Sequence, residues 1–365
     1  MRSVLTLPSG QLPCPVEGGD VRLLRPVQQV LLGALSAPAV TRLFARFMLG
    51  RATIFVLHRL QDADRGTPGH DPQALRSFLS LLRRERYALV GLEELFHWLS
   101  EADRRVSRAV AFTLDDGYAD QAGIASQVFA EFDCPATVFV TTGFLDGPLW
   151  LWWDRIEYIL RRTARPALKI ELDSTQLRYL RDDGAGYDRA QFDFTERCKH
   201  VPEEEKERAI LRLAAAAEVD LPERPPPCYA PMSWADLRAC EERGLTFGPH
   251  SVTHPVLAQT TDLQSRREIT GSWERLAAEA RAPVPIFCYP SGQPYEYGPR
   301  ELATLRQLGF VGAVGSTHAY VDARAFKGAP DARFAVPRFG YPDNLRGALQ
   351  YVSGLERLKE LWRGS

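Results

Sequence analysis

Two carboxylates, Asp115 and Asp116, and two imidazoles, His250 and His254, stand where apolar runs of the chain stop. The runs are Ala109-Val110-Ala111-Phe112 and Leu245-Thr246-Phe247. Carboxylate and imidazole together are the donor set of a catalytic divalent metal that keeps an open position. One carboxylate has to bind the ion; the other has to stay free to take a proton from water made acidic by the cation. Two histidines at positions i and i+4 can aim both rings at one ion, from a helical turn or from a tight loop. Each string also has a plainer reading: an acidic turn capping a helix N-terminus, with Asp120 alongside, and core histidines bonded to carbonyls. Their pairing at separate strand ends favours a metallohydrolase.

The elements that must position these groups alternate between strand-like and helix-like runs, the pattern of an α/β domain. Thr53-Ile54-Phe55-Val56-Leu57 is continuously apolar, as in a strand buried on both faces. A helix is expected over 72–86, a strand over 109–114, a helix over 120–132 and a strand over 136–141. After Pro231, Ser233 is placed to cap a helix reaching Arg243, followed by a strand over 245–247. A long helix over 262–280, a strand over 285–289, a helix over 299–308 and a strand over 310–314 follow. Phe334-Ala335-Val336 is expected as a last short strand. The strand ends carry His58, Asp115-Asp116, Thr142-Gly143, His250 and Pro290-Ser291-Gly292, with His318 and Arg338 shortly past the final two. In a barrel of parallel strands the loops at the C-terminal rim converge, so groups far apart in sequence meet around one point.

Between Phe144 and Pro231 the alternation breaks into a charged, helix-like stretch, expected to be an insertion serving as a lid or substrate-binding subdomain. Leu151-Trp152-Trp153-Asp154-Arg155-Ile156-Glu157-Tyr158 stands at its head. Trp150, Trp152 and Trp153 offer platforms for sugar rings, but at helical spacing packing is the expected role of at least two of them.

Composition narrows the class. The chain has 45 basic and 46 acidic residues and a net charge of −1, so no overall field draws it to nucleic acid. The six cysteines include no Cys-x-x-Cys pair and do not make a disulfide framework. The first ten residues are broken by Pro8 and Gly10 before an apolar core of a secretory leader develops, so the cytoplasm is the expected compartment. Residues 27–49 are apolar but interrupted by Gln28, Gln29, Arg42 and Arg46, too polar for a span and a candidate for peripheral membrane contact. Packing on the main domain is the plainer reading of that stretch.

With these residues in place, the chain resembles the NodB-like polysaccharide deacetylases (carbohydrate esterase family 4). Thr113-Leu114-Asp115-Asp116-Gly117 is similar to the family's Thr-Phe-Asp-Asp-Gly motif, and His250-Ser251-Val252-Thr253-His254 to its His-Ser/Thr-x-x-His motif. Gly248, Arg267-Glu268-Ile269 and Ser272 also fit. The resemblance covers roughly residues 52–336 without the insertion. It implies a distorted (β/α)7-type barrel: an N-terminal helical extension over 1–50, the barrel over 51–345 with the insertion at about 145–230, and a C-terminal helix over 346–365. It implies Asp115 as general base, and Asp116, His250 and His254 as ligands of one divalent ion, zinc or alternatively cobalt, nickel or iron.

The third motif, Cys288-Tyr289-Pro290-Ser291-Gly292, resembles a Tyr-Pro-x-Gly variant rather than the commoner Arg-x-Pro-Tyr. That implies the Ser291 N–H as oxyanion donor, with Tyr289, Tyr118 and His58 at the substrate. The family's arginine beside the base is missing from this motif, and Arg338 is the candidate replacement. The family's late histidine acts as general acid, and His318 is the only histidine after His254. The expected reaction is removal of an acetyl group from an N-acetylated sugar of a bacterial surface polysaccharide or its precursor. The tryptophan-rich segment is similar to those of deacetylases in surface-polysaccharide synthesis. A same-fold amidase acting on a non-sugar amide, or a sugar-binding or assembly protein without turnover, are the alternatives.

Overall fold

The computed structural model describes residues 45–101, 103–181 and 186–357. The extension expected over 1–50, with the stretch 27–49, lies almost entirely outside the described residues, as do 358–365; the helix expected over 346–365 instead ends at Val352, where the chain turns through Ser353 and Gly354. Among the described residues no helix is long and apolar enough to cross a membrane.

The strands are β1 (Arg51–Leu57), β2 (Ala88–Leu89), β3 (Ala109–Asp116), β4 (Ala136–Val140), β5 (Ala167–Leu172), β6 (Thr175–Leu180), β7 (Leu245–Pro249), β8 (Ile286–Cys288), β9 (Gly312–Val314), β10 (Val321–Asp322) and β11 (Phe339–Gly340). β1, β3, β4 and β7 pair side by side in parallel. A parallel bridge from Phe247 to Pro283 leads to the β8–β9 pair, and another joins Val314 to Val336. β11 returns to β1 in parallel. The strands therefore close on themselves, with the gaps on either side of β8–β9 held by single bridges. This is the expected distorted (β/α) barrel. Antiparallel β10 extends one edge of β1.

The helices used below are α1 (Pro72–Arg84), α2 (Leu92–Glu101), α3 (Trp152–Arg162), α4 (Asp188–Cys198), α5 (Glu203–Ala217), α6 (Trp234–Glu241), α7 (Asp262–Glu279), α8 (Pro299–Gln307) and α9 (Leu345–Val352). The expected cap forms: Ser233 accepts from the Asp236 N–H, and Asp236 accepts from the Ser233 N–H, as in a capping box.

Side-chain alternation sorts the barrel into two layers. Ala52 and Ile54 of β1 and Ala109 and Ala111 of β3 pack inward with Phe139, Ile286 and Val314. Phe55, Leu57, Val110, Phe112 and Leu114 point outward against α1, through Phe78 and its neighbours. Continuing the inward set along β3 reaches Thr113 and then Asp115, so the period of the strand itself delivers one carboxylate to the inside of the rim.

Two expectations need correction. The last strand is not 334–336: Ala332–Phe334 form a tight turn, Val336 makes a lone bridge, and the paired strand is Phe339–Gly340. The insertion is not wholly helical. β5 and β6 form an antiparallel hairpin, and Leu168, Ile170 and Leu172 bury one face of it. That hairpin packs with α3, α4 and α5 around a separate core containing Trp152, Ile156, Phe194 and Leu213.

Candidate active site

Register brings the two motif strings together. Asp116 pairs with Val140, and Val140 with Pro249, so the ends of β3, β4 and β7 lie in a row. Asp116 O accepts from the Thr141 N–H, and Val140 O accepts from the His250 N–H. A regular strand would turn Asp116 away from Asp115. Instead Asp116 adopts φ 85° and Gly117 φ 93°, which swings the second carboxylate onto the same rim. At Gly117 the positive φ disfavours any side chain, and a Cβ there would press within 2.7 Å of a Leu145 methyl. Ser251, His254 and Ser291 are also left-handed, at φ 63°, 58° and 59°. Each such residue costs on the order of 1 kcal/mol, a strain that the surrounding packing over-determines.

Asp116, His250 and His254 converge. Nε2 of each histidine lies 3.6 Å from Asp116 Oδ1. Donors about 2.0–2.2 Å from one tetrahedral ion lie roughly 3.3–3.6 Å from each other, so the three fit a single divalent cation. The His250 Nδ1–H donates to the Cys288 carbonyl at 2.8 Å, which fixes the tautomer and leaves the Nε2 lone pair toward the cluster. All three groups are almost completely buried. Burial, then the Asp115 charge, pushes the Asp116 carboxyl well above its usual range. Burial lowers His250 to about 4 and, with His250 as neighbour, moves His254 well below its ordinary value. Two neutral imidazoles and a destabilised carboxylate in one buried place are what a cation would relieve. Glu268 of α7 holds the loop between the histidines, accepting from the Val252 and Thr253 N–H groups and from the Thr253 hydroxyl at 2.7–2.8 Å.

Asp115, His250 and Cys288 form a second cluster of potential ligands. Arg338 pre-empts it. Its guanidinium donates to Asp115 Oδ1 at 2.7 Å and Oδ2 at 2.8 Å, and also to Thr113 Oγ1 and the Gly315 carbonyl. The Cys288 sulfur lies 3.2 Å from the same guanidinium. Burial alone would raise the Asp115 carboxyl, but the Arg338 charge and hydrogen bonds overcome it and hold the group well below the usual carboxylate range. Cys288 stands two residues before Pro290, and its small side chain leaves room for the guanidinium arriving from the far end of the chain.

A cavity of about 680 Å³ opens onto these groups, lined by Asp115, Asp116, His250, His254, Arg338, His58, Tyr118, Tyr289 and Ser291 among others. The Ser291 N–H makes no hydrogen bond among the described residues, and Gly292, at φ 75° and with Ser316 N only 2.9 Å from where a Cβ would stand, permits the tight turn. Tyr289 is buried and stacked on Tyr297. Tyr118 is buried, with the Arg59 guanidinium 3.9 Å above its ring. His58 is exposed and lines the cavity beside Asp115 and Arg338. Asp120 does not cap a helix; it accepts from Arg59 Nε at 2.9 Å and the Leu60 N–H at 2.7 Å, tying the end of β1 to β3.

His318 is not brought to the site. It is exposed and absent from the cavity lining, its ring packs on Phe339 and Tyr351, and Nε2 lies 3.1 Å from the Tyr351 hydroxyl. The segment after β9 carries it to the side of the barrel covered by α9. Conversely, Asp154 was missed. It lines the cavity at 3% exposure, accepts a 2.7 Å bond from the Tyr118 hydroxyl, and is raised to about 7 by burial. An acid in the first turn of a helix normally reads as a partner of the helix dipole. The available signal was its place among the apolar residues of the 151–158 run. Trp150 and Trp152 are buried as expected, while Trp153 is half-buried with its ring centroid 4.4 Å from that of His254.

The sequence profile of the family described as Polysaccharide deacetylase matches residues 102–313, more than half of the chain. No curated protein sequence matches it. Among solved structures the chain is similar to the Streptococcus pyogenes deacetylase PplD in complex with acetate, at 15% identity and TM-score 0.53. That alignment covers 83% of this chain and 98% of that one. It is also similar to a polysaccharide deacetylase from Bacillus cereus, at 14% identity and TM-score 0.50, covering 83% and 69%. At these identities the likeness is one of fold, and it agrees with the barrel described above. Fold, motif positions and profile match converge on one conclusion: the chain belongs to the polysaccharide deacetylase family.

Proposed function

We propose that the protein is a metal-dependent hydrolase that removes the acetyl group from an N-acetylated sugar of a bacterial surface polysaccharide or its precursor. The observation that carries this reading is the division of labour between adjacent carboxylates. Asp116 joins two imidazoles around a space fitting one cation, while Asp115 is held apart by a bidentate arginine. A binding protein has no need of a second, separately anchored carboxylate at that point.

When bound by Asp116, His250 and His254, a divalent ion such as zinc supplies Lewis acidity toward the acetyl carbonyl and acidifies water at neutral pH. Asp115 takes the proton from the attacking water, using the lone pairs that Arg338 leaves free. Arg338 is a positioning residue: it fixes the carboxylate plane and keeps it ionised. The Ser291 N–H donates to the oxyanion as the carbonyl becomes tetrahedral. His58, rather than His318, hands a proton to the leaving amine. It lines the cavity beside Asp115 and Arg338, which His318 does not. We read the third motif as the Tyr-Pro-x-Gly variant, supported by the Gly292 turn and by Arg338 filling the space beside Cys288.

Acetate release from N-acetylated oligosaccharides, followed as metal is stripped by a chelator and restored, tests the proposal. Release should stop and return. Release indifferent to the chelator contradicts it.

A further inference from the structure

The head of the insertion is wired into the cavity. The Trp153 indole N–H donates to the Tyr118 oxygen at 3.1 Å, so the Tyr118 hydroxyl proton is directed to Asp154 Oδ2 at 2.7 Å. Asp154 Oδ1 has no hydrogen-bond partner among the described residues, although the side chain lines the cavity and is 97% shielded from solvent overall. A carboxyl with one oxygen bonded to Tyr118 and the other without a protein partner keeps an acceptor for a ligand hydroxyl in the cavity that it lines. Farther out, the same cavity is walled by one face of α4, where Gln191, Phe192 and Thr195 sit within a single turn. Phe192 is 50% exposed there, with an amide and a hydroxyl beside it. An exposed aromatic flanked by hydrogen-bonding groups suits the apolar face and hydroxyl rim of a sugar ring. The barrel's own loops supply none of these groups.

We propose that the insertion is the glycan-selecting wall of the site, with Asp154 accepting a hydroxyl of the reacting sugar and the Gln191–Phe192–Thr195 face binding the next sugar along the chain. The substrate is then an oligo- or polysaccharide rather than an activated monosaccharide. This deepens the deacetylase reading and rests on it.

Binding is measured by tryptophan fluorescence on the full chain, using metal-loaded protein with Asp115→Asn to prevent turnover. The probes are N-acetylglucosamine and its β-1,4- and β-1,6-linked tetramers. At least one tetramer should bind about tenfold more tightly than the monosaccharide. Phe192→Ala should erase that advantage. Asp154→Ala should weaken the tetramer about tenfold, with Asp154→Asn, which keeps an acceptor oxygen, losing less. Equal affinity for monosaccharide and both tetramers, or a Phe192→Ala variant that keeps the full advantage, overturns the proposal. Phe192 is exposed enough for its variant to fold even if Asp154→Ala does not. Selective tetramer binding without acetate release by the parent protein would instead sink the deacetylase reading and leave this wall standing.

Discussion

Replacing Arg338 with alanine removes the only cation in direct contact with Asp115 among the described residues and leaves that carboxylate buried. Stranding one member of a buried ion pair costs about 3–5 kcal/mol. Folded domains hold only about 5–15 kcal/mol in total, so the variant should melt far earlier than the parent. The pH dependence carries the sharper signature. In the parent, burial pushes the Asp115 carboxyl up, but Arg338 prevails and the folded-state pKa lies well below the unfolded one. This group therefore stabilises the fold above the unfolded value near 3.8, and that stability is lost as pH falls through the folded value. Without Arg338, burial is left as the largest influence and the folded-state pKa rises above the unfolded one. The contribution then reverses: greatest at low pH, and lost as pH rises through the new folded value. Denaturant melts of parent and Arg338→Ala at pH 4.5 and 7.5 read this effect together with the rises expected at Asp116, His58 and His250, which Arg338 also lowers and which act in the same direction. The gap between the two proteins should be wider at pH 7.5. Adding Asp115→Asn to Arg338→Ala should recover much of the loss, since no buried charge then stands alone. A gap below about 1 kcal/mol that does not change with pH would refute the reasoning.

His58→Gln should lower the rate of acetate release by about 100-fold or more, whereas His318→Gln should change it by less than about threefold. Steady-state kinetics on the two variants decide between the histidines, and the reverse ranking removes His58 from the mechanism. Glu268→Ala should weaken metal binding by about 10–100-fold without removing a ligand, because Glu268 holds the loop that sets the spacing of His250 and His254. Competition with a chromogenic chelator reads this, and unchanged affinity would mean that the loop holds its shape unaided.

Much of the barrel was legible because its strands are buried on both faces and read as unbroken apolar runs, as at Thr53–Leu57. The inward direction of Asp115 follows from strand period alone. That of Asp116 does not; it depends on a backbone twist through Asp116 and Gly117, for which the glycine after the two aspartates was the signal. Arg338 was visible as a candidate, yet its contact with Asp115 spans 223 residues of sequence and needed barrel closure to be seen. His318 went the other way: its chain position suggested the rim, but aromatic packing on Phe339 and Tyr351 holds it outside. The hairpin of the insertion carried its alternation in Leu168, Ile170 and Leu172, outweighed by the charged helical stretches around it. Asp154 gave the least signal, because an acid near a helix N-terminus is ordinary until its burial is known.

Metal content and acetate release of Asp115→Asn, measured side by side with the parent, test the central claim most directly. Both proteins should retain one divalent ion per chain, and only the parent should release acetate from N-acetylated oligosaccharides. An Asp115→Asn variant that loses the ion, or that keeps the parent's rate, would contradict the separation of ligand from base on which the account rests.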